Sequence, residues 1–190
     1  MACSSDGTTF YTGSSDFNVR KWDVRMGQSV QTLKGHTRPV EYVALYGEQV
    51  FSASSDSTIR RWDLAAAEPD LVLKGHSTTV FSLHFAPEMD AVFSTSADKT
   101  VRRWDLQTGS EEGVYEHSDW VKAACIRGSL LVTAGRDETV TVWDLQTDQI
   151  RRQITGHFDE VTSVALIGGT NKILSGSLDC TIRFWDLDGE

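Results

Sequence analysis

The chain has 190 residues, of which 24% are charged and 39% hydrophobic, a composition typical of a globular protein with a sizeable core. Its formal net charge of -9 argues against nucleic acid and anionic membranes as partners, because both require clustered cations. No apolar run approaches the roughly 20 residues of a membrane-spanning helix, and the amino terminus shows no secretory signal. The three cysteines lie outside any CxxC spacing and are expected to be free thiols, in the cytoplasm or nucleus.

A Trp-Asp pair occurs five times, at intervals of 40, 42, 39 and 42 residues. An Asp lies six residues before each Trp, and a Ser or Thr lies four residues before that Asp. Four of the five units also carry a His 26 or 28 residues before the Trp. This register indicates one structural unit repeated along a single array over residues 1–190. The units are expected to end near Asp23, Asp63, Asp105, Asp144 and Asp186.

Within each unit the sequence predicts short β-strands separated by turns. Apolar segments rich in β-formers mark the first strand at residues 40–45, 80–85, 121–126 and 161–166. A second strand follows, as at 49–53, then one that ends at the Trp, as at 58–62, and a more polar fourth, as at 149–154. Ser, Asp and Gly clusters between them are typical of turns. Four strands in about 40 residues indicate an all-β fold of propeller blades.

The Gly-His start, the turn Asp and the Trp-Asp end resemble the WD-repeat β-propeller family over essentially the whole chain. The resemblance implies a hydrogen-bonded structural tetrad of His, hydroxyl, Asp and Trp in each blade. The implied tetrads are His36, Ser52, Asp56, Trp62; His76, Ser94, Asp98, Trp104; His117, Thr133, Asp137, Trp143; and His157, Ser175, Asp179, Trp185. The first unit has Thr12, Asp16 and Trp22 but no His. A set repeated in four units suits a scaffold better than a Ser-His-Asp catalytic triad.

The register also locates the two chain ends within the repeat. Met1 falls inside the expected first strand of the first unit, and Glu190 follows Trp185 by five residues, before a fourth strand. We therefore expect about five blades, of which three are complete and the first and last incomplete. Three explanations of these incomplete blades are considered. We favour a fragment of a seven-bladed ring; the other two are a closed five-bladed ring and completion by a partner or a second copy. Open edge strands would promote self-association.

In WD-repeat proteins, partners contact loop positions that flank the first Val of the inner strand or precede the turn Asp. The positions that match here are Pro39, Glu41, Ser55; Thr79, Phe81, Ala97; Trp120, Lys122, Arg136; and Glu160, Thr162, Leu178. From these we predict that a protein or peptide binds at Phe81, Trp120, Lys122, Arg136 and Glu160. Trp120 is the only Trp outside a Trp-Asp pair, and with Phe81 it would form an aromatic anchor.

Lys122 and Arg136 are expected beside Trp120, where they would bind an acidic or phosphorylated peptide. The alternative is that Trp120 packs over its own loop while the two cations balance Asp119 and Glu138. A second docking motif begins at Trp22, because Trp22, Asp23 and Arg25 resemble the WDxR motif by which some WD-repeat proteins bind a cullin-RING ubiquitin-ligase adaptor. Lys21 departs from that motif's aliphatic pattern.

Basic residues recur at the two positions before the Trp, and we expect their stems to pack between blades with their charges on carboxylates. These residues are Arg20, Lys21, Arg60, Arg61, Arg102, Arg103 and Arg183. No catalytic constellation, metal spacing or phosphate-binding loop is found, so no cofactor is predicted. The sequence indicates a non-enzymatic interaction scaffold. A ubiquitin-ligase substrate receptor is the alternative, and a propeller enzyme, for which only His84 is a candidate, is the third class considered.

Overall fold

The structure is a computed structural model that describes residues 1–187. The described chain contains nineteen β-strands in five antiparallel sheets, one 3-10 turn at Pro87–Met89, and no α-helix. The predicted all-β fold of five strand-rich repeats is therefore confirmed. The expectation that the fifth repeat ends before a fourth strand depends on residues 188–190, which lie outside the described residues.

Each repeat contributes one sheet, and the strands follow one another in chain order across it. The first sheet contains β1 (Ala2–Cys3), β2 (Thr9–Gly13), β3 (Val19–Asp23) and β4 (Gln28–Leu33). The second contains β5 (Val40–Tyr46), β6 (Gln49–Ser54), β7 (Thr58–Asp63) and β8 (Glu68–Lys74). The third contains β9 (Val80–Ala86), β10 (Ala91–Ser96), β11 (Thr100–Asp105) and β12 (Glu111–Glu116).

The fourth sheet contains β13 (Val121–Arg127), β14 (Leu130–Gly135), β15 (Val140–Asp144) and β16 (Gln149–Ile154). The fifth has three described strands, β17 (Val161–Leu166), β18 (Lys172–Ser177) and β19 (Ile182–Asp186). Strand β1 contains two residues, whereas the first strands of the other sheets contain six or seven. The first strand of the first repeat is thus short, as its register predicts.

The turn Asp closes the same hairpin in every repeat. The residue after it has a positive φ although none is glycine, with values of 74° at Phe17, 67° at Ser57, 71° at Lys99, 61° at Glu138 and 64° at Cys180. The Asp carboxylate compensates for this unfavourable backbone by accepting the amide of the second residue after it, as from Thr58 N to Asp56 Oδ1 at 3.0 Å. A side-chain-capped turn therefore sets the register of the two strands that it joins.

The chain divides into two compact units, residues 1–83 with 108–110, and residues 84–107 with 111–187. In the first unit the core is built from inward-facing strand residues that include Tyr11, Val19, Leu33, Val43 and Trp62. The second unit has two core clusters, one around Phe93, Tyr115 and Trp143 and the other around Val142, Val161 and Ile173. Alternation of buried and exposed residues along the strands gives each sheet its apolar faces.

Candidate partner-binding surface

The second, fourth and fifth repeats each show a complete hydrogen-bonded tetrad. In the second repeat, Trp62 Nε1 donates to Ser52 Oγ at 2.8 Å, while His36 lies 2.7 Å from Ser52 Oγ through Nε2 and 2.8 Å from Asp56 Oδ2 through Nδ1. The fourth repeat repeats these three contacts at 2.8 Å each through Thr133. The fifth repeats them at 2.7 Å each through Ser175. Since Trp only donates and Asp only accepts, the hydroxyl donates to Nε2 and Nδ1–H donates to Asp.

The Trp–hydroxyl bond of this arrangement is also present in the first and third repeats. Trp22 Nε1 donates to Thr12 Oγ1 at 2.9 Å, and Trp104 Nε1 donates to Ser94 Oγ at 2.8 Å. In the first repeat, which lacks the His, the Arg20 guanidinium pairs with Asp16 instead. His76 of the third repeat is buried. The indole N–H is satisfied in all five repeats.

Burial and electrostatics make these tetrads unsuitable for catalysis. The hydroxyls of Ser52, Thr133 and Ser175 are enclosed, with residue exposures of 0–1%, so a substrate cannot reach them. Burial raises the pKa of Asp56 and of Asp137, but hydrogen bonds from His36 and His117 and from neighbouring groups outweigh it and hold both pKa values below the usual range. Each carboxylate is therefore charged, and it serves as the fixed acceptor at the end of a hydrogen-bonded chain.

The predicted contact positions converge through backbone hydrogen bonds. The amide of Arg136 donates to the carbonyl of Trp120 at 2.8 Å, and the equivalent bonds join Ser55 to Pro39 and Leu178 to Glu160 at 2.9 Å. The residue before the inner strand and the residue before the turn Asp are thus adjacent in these repeats. Their side chains project from the same end of the sheet, where they form a small surface in each repeat.

In the fourth repeat this surface is built around Trp120, and we call the group Asp119, Trp120, Lys122, Arg136 and Glu160 the Trp120 surface. The Lys122 Nζ atom lies 5.2 Å and the Arg136 Cζ atom 5.0 Å from the centroid of the Trp120 ring, both within cation–π range. Lys122 also lies 3.7 Å from Glu160, and Arg136 lies 4.0 Å from Asp119. The indole is 37% exposed, so solvent or a partner can reach it.

These contacts agree with parts of both interpretations of the sequence. Lys122 and Arg136 do contact Trp120, and Arg136 is near the local Asp119. Lys122 pairs with Glu160 of the following repeat, because strands β13 and β17 are neighbours in the second unit. Phe81 lies on β9 in the first unit, and its pairing with Trp120 as an aromatic anchor stays a prediction.

Gly135 permits the close approach of the Trp120 loop to the sheet. A Cβ atom at position 135 would lie 1.9 Å from the Trp120 carbonyl oxygen, far inside contact distance. The second repeat has Ser54 at this position, where its hydroxyl donates to the Pro39 carbonyl at 2.8 Å. The fourth repeat thus leaves no room for a side chain at the position where the second repeat uses one to bind its loop.

Phe158 was not singled out by the repeat register, yet it is 80% exposed. The Arg183 Cζ atom lies 5.5 Å from the centroid of its ring. A sequence signal exists, because Phe158 follows the Gly-His of the fifth repeat where other repeats have Thr37, Ser77 or Ser118. An exposed aromatic residue at that position is a further candidate contact residue.

The turn after the first Trp-Asp pair presents Arg25 to solvent. Asp23 stabilises this turn by accepting the amide of Met26 at 2.8 Å through its carboxylate and the amide of Gly27 at 2.9 Å through its carbonyl. Val24, Arg25 and Met26 are all exposed, and no described residue pairs with the Arg25 guanidinium. The turn therefore offers a cation between two apolar side chains.

Several of the basic residues before the Trp pairs contact carboxylates, as expected. Arg61 lies 2.9 Å from Asp70, Arg103 lies 3.4 Å from Glu112, and Arg102 pairs with Glu111. Arg183 differs, since it stacks against Phe158 and Trp185. Most of this cationic charge is thus locally balanced.

His84, the candidate for a propeller enzyme, lies in a desolvated position. Burial lowers the pKa of His84 to about 4, so its imidazole is neutral near pH 7. Within residues 1–187, no group of three or more His, Cys, Asp or Glu side chains is arranged to hold a metal ion. No helix in the same part of the chain is long and apolar enough to span a membrane.

The repeats match the family model of the WD domain, G-beta repeat, at residues 1–23, 27–63, 67–105, 109–144 and 148–186. The chain belongs to the WD-repeat family, whose members are generally protein-interaction scaffolds and typically lack enzymatic activity. The predicted family membership is confirmed by these five matches.

Similar proteins include WD repeat-containing protein 97 of Homo sapiens, 43% identical over 34% of this chain and 4% of that protein. Nuclear distribution protein PAC1-1 of Uncinocarpus reesii is 29% identical over 94% of this chain and 47% of its own length. Pre-mRNA-processing factor 19 homolog 2 of Arabidopsis thaliana is 36% identical over 32% of this chain and 12% of that protein. The chain spans less than half the length of each of these relatives.

Proposed function

We propose that this chain is a non-enzymatic scaffold that binds an acidic or phosphorylated peptide segment of a partner protein at the Trp120 surface. The observation that carries the proposal is the placement of Lys122 and Arg136 against an exposed Trp120 ring. Trp and Arg are the residue types most enriched among the dominant contacts of protein interfaces. We propose that the chain acts in the nucleus or cytoplasm, and the relatives include a nuclear distribution protein and a pre-mRNA-processing factor.

The two ion pairs of this surface are weak enough to be exchanged for contacts with a partner. The Lys122–Glu160 and Arg136–Asp119 separations of 3.7 and 4.0 Å exceed the length of a direct charge-assisted hydrogen bond. The Arg136–Asp119 pair is exposed and the Lys122–Glu160 pair is partly exposed, and pairs near the surface contribute only about 0–1 kcal/mol. A partner phosphate or carboxylate can therefore displace Glu160 and Asp119 at small cost, while an adjacent apolar residue covers the Trp120 ring.

The test uses an array of synthetic peptides that carry acidic, phosphorylated or neutral residues beside an aromatic residue. The best binder is then titrated against the wild type and against Trp120→Ala/Arg136→Ala. We expect the double substitution to weaken binding at least about tenfold, because it removes both the aromatic and the bidentate contact. The matched control is Phe17→Ala/Arg25→Ala, which removes an exposed aromatic residue and an exposed Arg elsewhere.

A second variant changes affinity in the opposite direction. Glu160→Gln removes the intramolecular competitor for Lys122, so acidic peptides should bind more tightly and neutral peptides should be unaffected. Circular dichroism checks that each variant is folded. Equal affinity of wild type and Trp120→Ala/Arg136→Ala, or no preference of the wild type for acidic peptides, would refute the proposed function.

The exposed turn around Arg25 supports docking on a cullin-RING adaptor as a second candidate function. Val24, Arg25 and Met26 project from one turn, and the guanidinium is unpaired within the described chain. Co-purification of the adaptor with the chain, lost on Arg25→Ala and retained on Arg151→Ala, is the expected result. Retention of the adaptor by the Arg25→Ala variant would exclude this function.

A further inference from the structure

A depression with a volume of about 320 Å³ lies in the first unit, and none of its lining residues belongs to the Trp120 surface or to the Arg25 turn. Three loops form it, and all eight of its lining residues are polar. Six of them carry a hydroxyl group, and the remaining two are Arg38 and Asp56. A depression without apolar lining is unsuited to a hydrophobic anchor and suited to a ligand rich in hydrogen-bond acceptors or donors.

The Asp56 carboxylate is already committed to the protein. Its Oδ2 atom accepts from His36 Nδ1 at 2.8 Å and from the Thr37 amide at 3.0 Å. Its Oδ1 atom accepts from the Thr58 amide at 3.0 Å and the Thr58 hydroxyl at 2.6 Å. With four donors on its two oxygens and a side chain that is 5% exposed, Asp56 forms the floor of the depression and is not available as a ligand for a cation.

Two other hydroxyls in the wall are oriented by a short relay. Thr79 Oγ1 donates to Ser55 Oγ at 3.3 Å, and Ser55 Oγ donates to Glu41 Oε1 at 2.6 Å. The Glu41 carboxylate thus has an internal donor. Because the Ser55 proton points toward Glu41, the Ser55 hydroxyl cannot donate to a ligand. Other groups that line the depression can.

The groups that remain available can all donate a hydrogen bond. The guanidinium of Arg38 is exposed, and within residues 1–187 it has no hydrogen bond or ion pair. The hydroxyls of Thr37 and Thr78 likewise have no partner in the described chain. The loop that carries Arg38 is fixed, since Ser54 Oγ donates to the Arg38 carbonyl at 3.1 Å and to the Pro39 carbonyl at 2.8 Å. The chain has 27 acidic residues and 18 basic residues, so carboxylates outnumber cations and an Arg without a carboxylate partner is unexpected.

We propose that this depression binds the phosphate group of a phosphorylated Ser or Thr side chain in a partner peptide. A phosphate monoester presents three acceptor oxygens, and the Arg38 fork can engage two of them while Thr37 and Thr78 donate to the third. The site uses none of the residues of the Trp120 surface or of the Arg25 turn. The proposal is therefore independent of both proposed functions.

The proposal is tested by calorimetric titration of the whole chain with a synthetic peptide that contains one phosphoserine. The chain carries Trp120→Ala/Arg136→Ala throughout, so that the Trp120 surface does not contribute to the binding that is measured. The same peptide with Ser or Glu, and inorganic phosphate alone, serve as comparison ligands. We expect the phosphoserine peptide to bind at least about tenfold more tightly than the Ser and Glu peptides and than inorganic phosphate. Its affinity should fall below about pH 6, where the monoester takes up a proton.

The variants identify the residues responsible. Arg38→Ala should abolish the preference for phosphoserine, Arg38→Lys should retain part of it because the charge remains without the fork, and Thr78→Val should weaken it several-fold. Lys34→Ala is the matched control, because Lys34 is an exposed cation of the same unit that does not line the depression. Thermal unfolding confirms that each variant is folded.

Two results would overturn the proposal. One is equal affinity for the Ser and phosphoserine peptides. The other is a phosphoserine preference that survives in Arg38→Ala. Binding of inorganic phosphate as tightly as the peptide would assign the site to a free anion and reject a peptide ligand.

Discussion

At the residue scale, one hydroxyl connects the two halves of each complete tetrad. Ser52 accepts the proton of the Trp62 indole and donates its own to His36, and both partners are buried. The Ser52 hydroxyl therefore bonds both to Trp62 on the sheet and to His36 in the loop. Its loss would leave two buried polar groups without a partner, and this costs more than the absence of one average hydrogen bond.

We therefore predict that Ser52→Ala lowers the free energy of unfolding by about 2 kcal/mol or more. Ser29→Ala is the control, because Ser29 is exposed and makes only long contacts of 3.4 Å to backbone carbonyls. The measurement is urea denaturation followed by circular dichroism. Equal destabilisation by the two substitutions would show that the buried hydroxyl has no special role.

The tetrad carboxylates also predict how stability depends on pH. The pKa values of Asp56 and Asp137 in the folded chain lie below that of an unfolded Asp, about 3.9. A depressed folded pKa contributes stability that is present above the unfolded pKa and is lost as the pH falls through the folded pKa. We expect the urea midpoint to decrease progressively below about pH 4, with a smaller decrease in Asp137→Asn. A midpoint that is constant between about pH 5 and pH 3 would contradict this assignment.

At the element scale, the third strand of the fifth sheet differs from the third strands of the other sheets. The residue three positions before the Trp is buried in the first four repeats, with exposures of 0% at Val19, 1% at Ile59, 0% at Val101 and 1% at Val140. Ile182 occupies this position in β19 and is 71% exposed, and Phe184 is 66% exposed. Strand β19 pairs with β18, and no other described strand pairs with it.

We predict that this apolar edge promotes self-association of the 190-residue chain, since exposed β-edges with large apolar side chains pair readily. Sedimentation velocity should show a larger weight-average mass at higher protein concentration. Ile182→Lys/Phe184→Glu should reduce this increase. The control Val30→Lys, at an exposed position on β4, should leave it unchanged. A mass independent of concentration in the wild type would refute the prediction.

Most strands and the turns between them could be predicted from the sequence, because the residues that specify them are close together in the chain. The Trp-Asp pairs, the turn Asp and alternating apolar residues each act within a few residues of the strand that they define. The Lys122–Glu160 pair could not be predicted, because it joins a residue on β13 to the residue that precedes β17 and depends on how the two sheets pack. The Arg38 depression was missed for the same reason, since residues 37–38, 55–57 and 77–79 meet only in the folded chain.

At the scale of the whole molecule, net charge decides what the repeated arginines can do. The chain carries a formal charge of -9, and Arg61, Arg102 and Arg103 pair with nearby carboxylates. Their charges are therefore unavailable for a continuous row of phosphates. The family assignment alone does not determine the ligand, since a fold hosts many functions.

We predict no measurable binding to a fluorescein-labelled DNA or RNA oligonucleotide of about 20 nucleotides near physiological salt, because non-specific affinity depends on cations that release counterions. Fluorescence anisotropy at two salt concentrations provides the measurement. Binding that weakens steeply as salt rises would show that the basic residues form a nucleic-acid surface after all. A protein of similar size with a basic net charge serves as the positive control.

The close approach at Gly135 means that a substitution at this buried residue would alter the Trp120 surface without changing any residue that a partner contacts. Any side chain at residue 135 must push the Trp120 carbonyl outward, because its Cβ would otherwise lie 1.9 Å from that oxygen. Gly135→Ala would then shift Trp120 relative to Lys122 and Arg136 while leaving all three side chains chemically intact. A single methyl group beneath the loop could thus serve as an engineered off-switch for recognition.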